Sequence, residues 1–577
     1  SKLTRCICFS NSGASKEDIN EFEVPIEKIT LPQGVDMTSK EEFNTKSPQS
    51  VHSVTNSTRI ALKTTSTAAK YIPSSPKGLF ELACQFHKEG RIEDAFNHYK
   101  TCLDQVLRDS GPKTEQAAKC YLQLGLICEE LDRYEEASTH YKKALQTRIM
   151  LHGDAHSEVS SVCITFGDFY EKCGLYDKAL TMYNKALTSY LKINFDDKKA
   201  LATLYDKIGS ILDLQGQIYQ AFRHFEKALN LRKEVTSEEN LDLAQSFNNL
   251  ALNYNLQAKY KEAILHANKA LRIRLRLLDS RDPELAISLN TLSSILLRQG
   301  RYDEALDSAR KAMDILFLNY SEYHPNVALV YDNIGLIYSS QGKFDEATEY
   351  YKKSLEIREY CLGNDHPDLA KSYNNLGAAF YKQGMIQEAV EFFNKAIENQ
   401  KTSFGESHPA LANFYHSLGL IREDQNQLSE AYELYKKSLD IRESKLQEEH
   451  PETAASHSAL GNLYYKQGNY EKALHHLEKS VRIRIKIFGK HHPDVASNLN
   501  SLGLVHAALG YPIEAQKCYH KACAIYSEIY GELHPYVGMC LLNRGSILCQ
   551  QEKFEEALNF FKKALSVYNA CFPEKKH

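Results

Sequence analysis

The 577-residue chain carries 70 Lys and Arg against 74 Asp and Glu, a net charge of −4, with 43% apolar residues, 25% charged residues and no Trp. This is the composition of a folded protein, and without surplus cation to neutralise phosphates it excludes a general nucleic-acid binder. No apolar run reaches the roughly 18 residues of a membrane span, and the opening SKLTRCICFSNSG is too short in apolar residues for a secretory signal and begins with Ser, as a piece of a longer protein would.

Residues 1–75 are rich in Ser, Thr and Lys and lack sustained helical periodicity, which predicts a largely disordered leader. Cys6 and Cys8 form a close pair there, read as part of an inert tail. Elsewhere cysteines fall singly within helical patterns (Cys102, Cys120, Cys128, Cys163, Cys361, Cys518). They read as buried small apolar residues in a reducing compartment, so the expected location is cytoplasmic.

From residue 76 to the end, the sequence repeats. A turn of the type QGRYDEA or QGKFDEA places Gly or its equivalent at Gly90, Asp132, Gly174, Gly216, Ala258, Gly300, Gly342, Gly384, Asn426, Gly468, Gly510 and Glu552, every step being 42 residues. Five places after each turn there is Ala, from Ala95 through Ala557. Seven places before it stands Gly in nine repeats, Ala83 and Ala251 in two, and Ser293 in one. An interior helical Gly costs about 1 kcal/mol relative to Ala, so its recurrence predicts a close approach, expected here between neighbouring backbones. Apolar residues such as Leu376, Phe380 and Phe393 recur at spacings of three, four or seven, giving two helices per repeat. Around Gly384 the first should run from about Pro367 to Lys382 and the second from about Ile386 to Gln400. Single pairs cannot bury both faces, so the fold expected is all-α: an α-solenoid, a right-handed superhelix of twelve helix pairs.

The order small-Leu-Gly, aromatic, turn Gly, Ala, aromatic, Ala resembles the tetratricopeptide repeat. The 42-residue length, the phrases GNDHPDLA (Gly363 to Ala370), GKHHPDVA (Gly489 to Ala496) and GELHPYVG (Gly531 to Gly538), and helix ends such as Ile357 to Glu359 and Ile483 to Ile485 are similar to the repeats of kinesin light chains. The resemblance covers about residues 76 to 570; the heptad coiled coil that precedes the repeats in kinesin light chains has no counterpart in residues 1–75. It implies that first helices line a concave groove. On their exposed stripe lie Asn248, Asn249, Asn290, Asn333, Asn374, Asn375, Asn500 and Asn543, with Lys371, Tyr381 and Lys382 beside them. Asn is a poor interior helix former whose amide both donates and accepts, so a row of Asn suits the backbone of an extended ligand. Early repeats offer Glu129, Asp168, Glu171 and Asp213 and middle ones Arg298, Lys371, Lys382, Tyr465 and Lys466, a gradient that favours an acidic, aromatic ligand in the middle.

Histidine recurs before the first helix at His156, His324, His366, His408, His450, His492 and His534. Repeats about 8–10 Å apart cannot share an ion that needs nitrogens at about 2.0–2.1 Å, so these read as helix caps, six of them ahead of a Pro at the first helical position. No phosphate-binding, zincin or nucleophile-elbow motif is present, so neither a catalytic residue, a metal nor a cofactor is expected. The expected function is a cytosolic adaptor that binds extended peptide segments of other proteins, with no nucleic acid or membrane partner. The rival is a regulatory repeat arm of a larger enzyme or signalling protein, and self-association through the ends of the array is a further expectation.

Overall fold

A computed structural model describes residues 75–571 except 132, 194–196, 236–239, 365 and 447. The leader up to residue 74, with Cys6 and Cys8, lies outside the described residues. All twenty-four helices described form hairpins of the predicted kind, two per 42-residue repeat. They divide between two compact bodies. One, ending at Gly153, holds repeats 1 and 2, with helices Pro76–Lys88, Ile92–Asp109, Glu115–Glu130 and Tyr134–His152. The other, from Asp154 onward, holds repeats 3 to 12.

Repeat 8 shows how closely residue pattern sets helix limits. Its first helix is Leu369–Gln383, starting two residues after the expected Pro367, and its second is Ile386–Phe404, four residues beyond the expected end. That longer helix stops where Gly405 takes φ 80°, a left-handed conformation that cannot continue it. The interhelical turn needs the same conformation in every repeat described. Gly supplies it in most, but Ala258, Asn426 and Glu552 hold φ of 56°, 61° and 63°. A left-handed L-residue costs roughly 1–2 kcal/mol, so Glu552→Gly should stabilise the last hairpin by about 1 kcal/mol, read as a raised urea midpoint for that repeat.

Six of the seven histidines cap as expected; His366 makes the same bond two residues on, but its helix starts later, at Leu369 with Asp368 at the cap. In each, the ring Nδ1 accepts the backbone N–H two residues on, at 3.0–3.3 Å, from Glu158 after His156 to Tyr536 after His534. These bonds satisfy amides that the first helical turn leaves without a partner.

The recurring Gly has a different cause from the one expected. At eight of the nine no neighbouring backbone crowds it, and the ring sixteen residues later, on the second helix of the same repeat, lies over it; at Gly461 the Leu477 side chain and the Ala473 carbonyl take that place. A Cβ on Gly167 would fall 2.5 Å from the Tyr183 ring, on Gly419 2.5 Å from Tyr435, and on Gly209 2.7 Å from Phe225. In repeats 5 and 6 the second-helix residue is Ala267 or Ala309 instead, and the first-helix residue is then Ala251 or Ser293. In most repeats the small residue and the ring thus go together, but not in all: repeat 1 sets Ala83 opposite Tyr99, and repeat 10 sets Gly461 opposite Leu477.

Between repeats, the second helix of one packs on the first helix of the next. Five of these junctions in the larger body hold an arginine sixteen places after the turn, buried in four and half-buried at Arg484. Arg232, Arg274, Arg358 and Arg442 donate to Ser246, Ser288, Ser372 and Ser456, and Arg484 donates to Asn498 at 2.7 Å. Carboxylates complete the set: Asp206 for Arg232, Asp332 for Arg358 and Glu452 for Arg442, at 2.5–2.6 Å. Where the arginine position holds Tyr190, Leu316 or Tyr526, the facing residue is Leu204, Val330 or Cys540. Polar and apolar junctions are thus alternative solutions at one site.

Candidate functional site

Across repeats 4 to 9, and again between 10 and 11, consecutive first helices lie against one another while consecutive second helices stand further apart. The side on which elements converge is the inside of the curve, so the first helices of the larger body line its inner face. Their outward positions recur at thirteen, ten, nine, six and two places before the turn, a stripe with helical spacing.

The Asn residues occupy this stripe, but many are bonded to the adjacent repeat. Asn333 Nδ2 donates to Asn290 Oδ1 at 2.9 Å, and Asn543 Nδ2 donates to Asn500 Oδ1 at 2.8 Å, in both cases from nine places before one turn to ten places before the previous one. Asn249 stands at the same position over Asp206, hydrogen-bonds its carboxylate and also takes an N–H from Gln245 at 2.8 Å. Asn248 and Asn500 are only 3% and 8% exposed. The Oδ1 atoms of Asn248 and Asn374 are buried without a hydrogen-bond partner. Asn375 is half-buried, whereas Lys371 and Lys382 are exposed. Tyr381 leans over to the next repeat and donates to Asp424, with the Lys382 ammonium 5.6 Å from its ring centre. These residues form one line, and part of their hydrogen-bonding capacity holds repeats in register.

The acids of the early repeats are similarly engaged. Tyr141 donates to Glu129 at 2.9 Å within the smaller body. In the larger body Tyr183 donates to Asp168 at 2.5 Å and to Glu171 at 3.0 Å, and Lys207 reaches Asp168 at 2.6 Å. Burial raises the Glu171 carboxyl above its ordinary range. It raises Asp213 to about 7, despite an N–H from Asn253 at 2.7 Å. Asp213 is thus partly neutral at pH 7, which blunts the gradient expected from residue types.

What the residue types did not reveal is an aliphatic floor. Thirteen and six places before the turn, Leu252, Ile287, Leu329, Leu336 and Leu420 are 40%, 48%, 46%, 49% and 39% exposed on the inner face of repeats 5 to 9. Neighbouring Lys371 and Lys382 are exposed, and the half-buried Asn290, Asn333 and Asn375 run between the aliphatic rows. Among the described residues no group of three or more His, Cys, Asp or Glu could hold a metal ion, and no helix is long and apolar enough to cross a membrane. On the last helix, Phe554–Cys571, the face expected to serve self-association exposes Phe554, Leu558 and Leu565.

The profile of the tetratricopeptide repeat matches in overlapping segments from 79–149 to 494–570, in step with the hairpins. The chain belongs to the tetratricopeptide-repeat family. Such repeats generally mediate protein–protein interaction, and this chain is a protein of that kind. Among solved structures it is similar to BtubC (BKLC) from P. vanneervenii, at 24% identity over 40% of this chain and 90% of that one, with a TM-score of 0.33. It is also similar to a Podosopora anserina protein described as a kinesin light chain with nearly identical TPR-like repeats. That match has 25% identity over 36% of this chain and 97% of the other, with a TM-score of 0.30. No curated protein matches the chain.

Proposed function

We propose that the inner face of repeats 5 to 9 binds extended segments of partner proteins, the chain acting as a cytosolic adaptor by binding and not by catalysis. The observation that carries this reading is the exposed aliphatic floor of Leu252, Ile287, Leu329, Leu336 and Leu420 beside the Asn row. Aliphatic side chains left 39–49% exposed over repeats 5 to 7 and again in repeat 9 form a patch that gains by being covered. Its setting shapes the ligand. Repeats advance by about 10 Å and an extended chain by about 3.3 Å per residue, so one ligand residue in about three faces an aliphatic position. Spare Asn amide groups meet the ligand backbone, and Lys371 and Lys382 favour acidic residues toward repeat 8. The acidic, aromatic ligand suggested by residue types thus becomes an aliphatic one with acidic flanks. Cargo binding of the kinesin-light-chain kind is the narrower form of this proposal and rests on the inter-repeat HP phrases.

Selection of 12-residue peptides from a random library on the whole chain, with affinities read by fluorescence anisotropy, tests it. Binders should carry aliphatic residues about three apart, and Ile287→Asp with Leu336→Asp should weaken them on the order of 100-fold while the helical circular dichroism stays unchanged. Binders that hold the double variant as tightly as the original chain would sink the reading.

A further inference from the structure

The larger body winds back on itself, and the helix-capping histidines are where it does so. The caps of repeats 9, 10 and 11 rest on the interhelical turns of repeats 3, 4 and 5, in the same register three times. His450 Nε2 lies 2.9 Å from the Leu214 carbonyl, and His492 Nε2 lies 3.3 Å from the Leu256 carbonyl, both 236 residues earlier. His408 stands over Gly174, where a Cβ would meet its Nε2 at 2.7 Å, and Pro451 covers Gly216 so closely that a Cβ there would fall 2.2 Å from its Cδ. An apolar cluster of Ile218, Ala454, Ile483 and Ile487 lies between the two turns of the superhelix, with Leu256 and Phe488 against it. Tyr260 and Tyr530 stack across the same seam at 6.4 Å. Where the seam is shut, repeats 3–5 and 9–11 form one continuous wall.

The hydrogen bonds fix the protonation state of the latch. In His450 and His492, Nδ1 accepts the N–H of Glu452 at 3.0 Å or Asp494 at 3.1 Å, so it carries no proton, and Nε2–H donates to the carbonyl across the seam. His408 Nδ1 likewise faces the Ala410 N–H at 3.2 Å and the Gln400 amide at 2.9 Å. A second proton on any of these rings would set N–H against N–H and place a cation in a dry contact.

We propose that this seam is a proton-operated latch, shut while His408, His450 and His492 are neutral and parted, with the repeats still folded, when they take up protons. His450 meets Glu452 on its own helix, Arg442 on the preceding helix and Asp213 beside Leu214 in the opposite turn; burial raises the last to about 7, so it is part-ionised near neutral pH and its proton uptake opposes that of the rings, one group against three. His492 meets Asp494 on its own helix, Arg484 on the preceding one and Arg298 from repeat 6. No charged group acts on His408, which burial alone lowers to about 4. Burial likewise lowers His450 and His492, opposed only in part by the Leu214 carbonyl and Glu452 for the first and by Asp494 and the Leu256 carbonyl for the second. Because the shut seam holds these rings below the ordinary histidine value of about 6.5, it binds fewer protons than the parted one. It is therefore favoured above pH ~6.5 and loses ground as pH falls below that value. The cavity of about 430 Å³ between the turns, lined by Tyr176, Arg298 and Phe488 among others, leaves room for water to enter as the contact opens.

Small-angle scattering of the unliganded full chain, with helical circular dichroism on the same samples, tests the latch independently of the groove reading. Between pH 7.5 and 5.5 the radius of gyration should rise with helicity unchanged. Asn caps a helix as well as histidine does but is too short to cross the seam, so His408→Asn with His450→Asn and His492→Asn should be expanded already at pH 7.5 and indifferent to pH. The matched control His156→Asn with His324→Asn should keep the original response. A radius of gyration independent of pH in the unaltered chain, or a response that the seam variant keeps or the control loses, would overturn the proposal.

Discussion

Arg442→Ala should destabilise the junction between repeats 9 and 10 by about 2–3 kcal/mol, the cost of a void and lost hydrogen bonds. The guanidinium is 2% exposed and donates to Ser456, Asn413 and Glu452, each at 2.6 Å. Truncation opens a void and leaves the buried Ser456 hydroxyl with only the Ser438 hydroxyl, at 3.3 Å, as partner. A solenoid couples each repeat chiefly to its neighbours, so the loss should appear in urea as an early transition of repeats 9 and 10, followed by hydrogen exchange, and not as a uniform shift. The chain supplies its own control. Between repeats 6 and 7 the same two positions are Leu316 and Val330, both buried. Arg442→Leu combined with Ser456→Val should therefore recover most of the loss, because Asn413 and Glu452 lie near enough to solvent to be hydrated once the arginine is gone. A double variant as unstable as the single one would show that the arginine network, and not the filling of the junction, holds the repeats together.

The fold was legible because each repeat restates it. A 42-residue step, a left-handed turn and a buried Ala five places on are constraints of backbone and volume, and these depend on residue type alone. The site was less legible. Asn290 and Asn333 were visible as polar residues on a helix, yet nothing in their identity says that one would spend its amide on the other, since that requires knowing which rows of adjacent repeats abut. Leu336 and Ile287 hid for the opposite reason: in a chain full of leucine, an exposed one differs from a core one only by its phase, six or thirteen places before the turn instead of four or eight. The seam was beyond reach of residue patterns altogether. His450 and His324 carry the same HP signature and the same cap, and only the winding of the superhelix gives the first a carbonyl to reach and leaves the second without one.

The Gly and ring pair offers a prediction whose sign reverses with context. Phe225 is 3% exposed and a Cβ on Gly209 would lie 2.7 Å and 2.9 Å from its Cε1 and Cδ1, distances at which ring or helix must move. Gly209→Ala should thus be destabilising by about 1–2 kcal/mol, overpacking outweighing the roughly 1 kcal/mol that Ala gains over Gly within a helix. Phe225→Ala should cost about 3–5 kcal/mol through the cavity it leaves. In that background Gly209→Ala meets no ring, fills part of the void and keeps its helical advantage, so it should stabilise by about 1 kcal/mol, as in the adjacent repeat where Ala251 and Ala267 coexist. The coupling, read from urea midpoints of the four proteins, is then about 2–3 kcal/mol. Additive effects would mean that the ring only happens to cover the glycine. A reversed sign would mean that the spacing of seven before and nine after the turn encodes a single complementary surface, filled by a ring on glycine in repeat 4 and by two small residues in repeat 5.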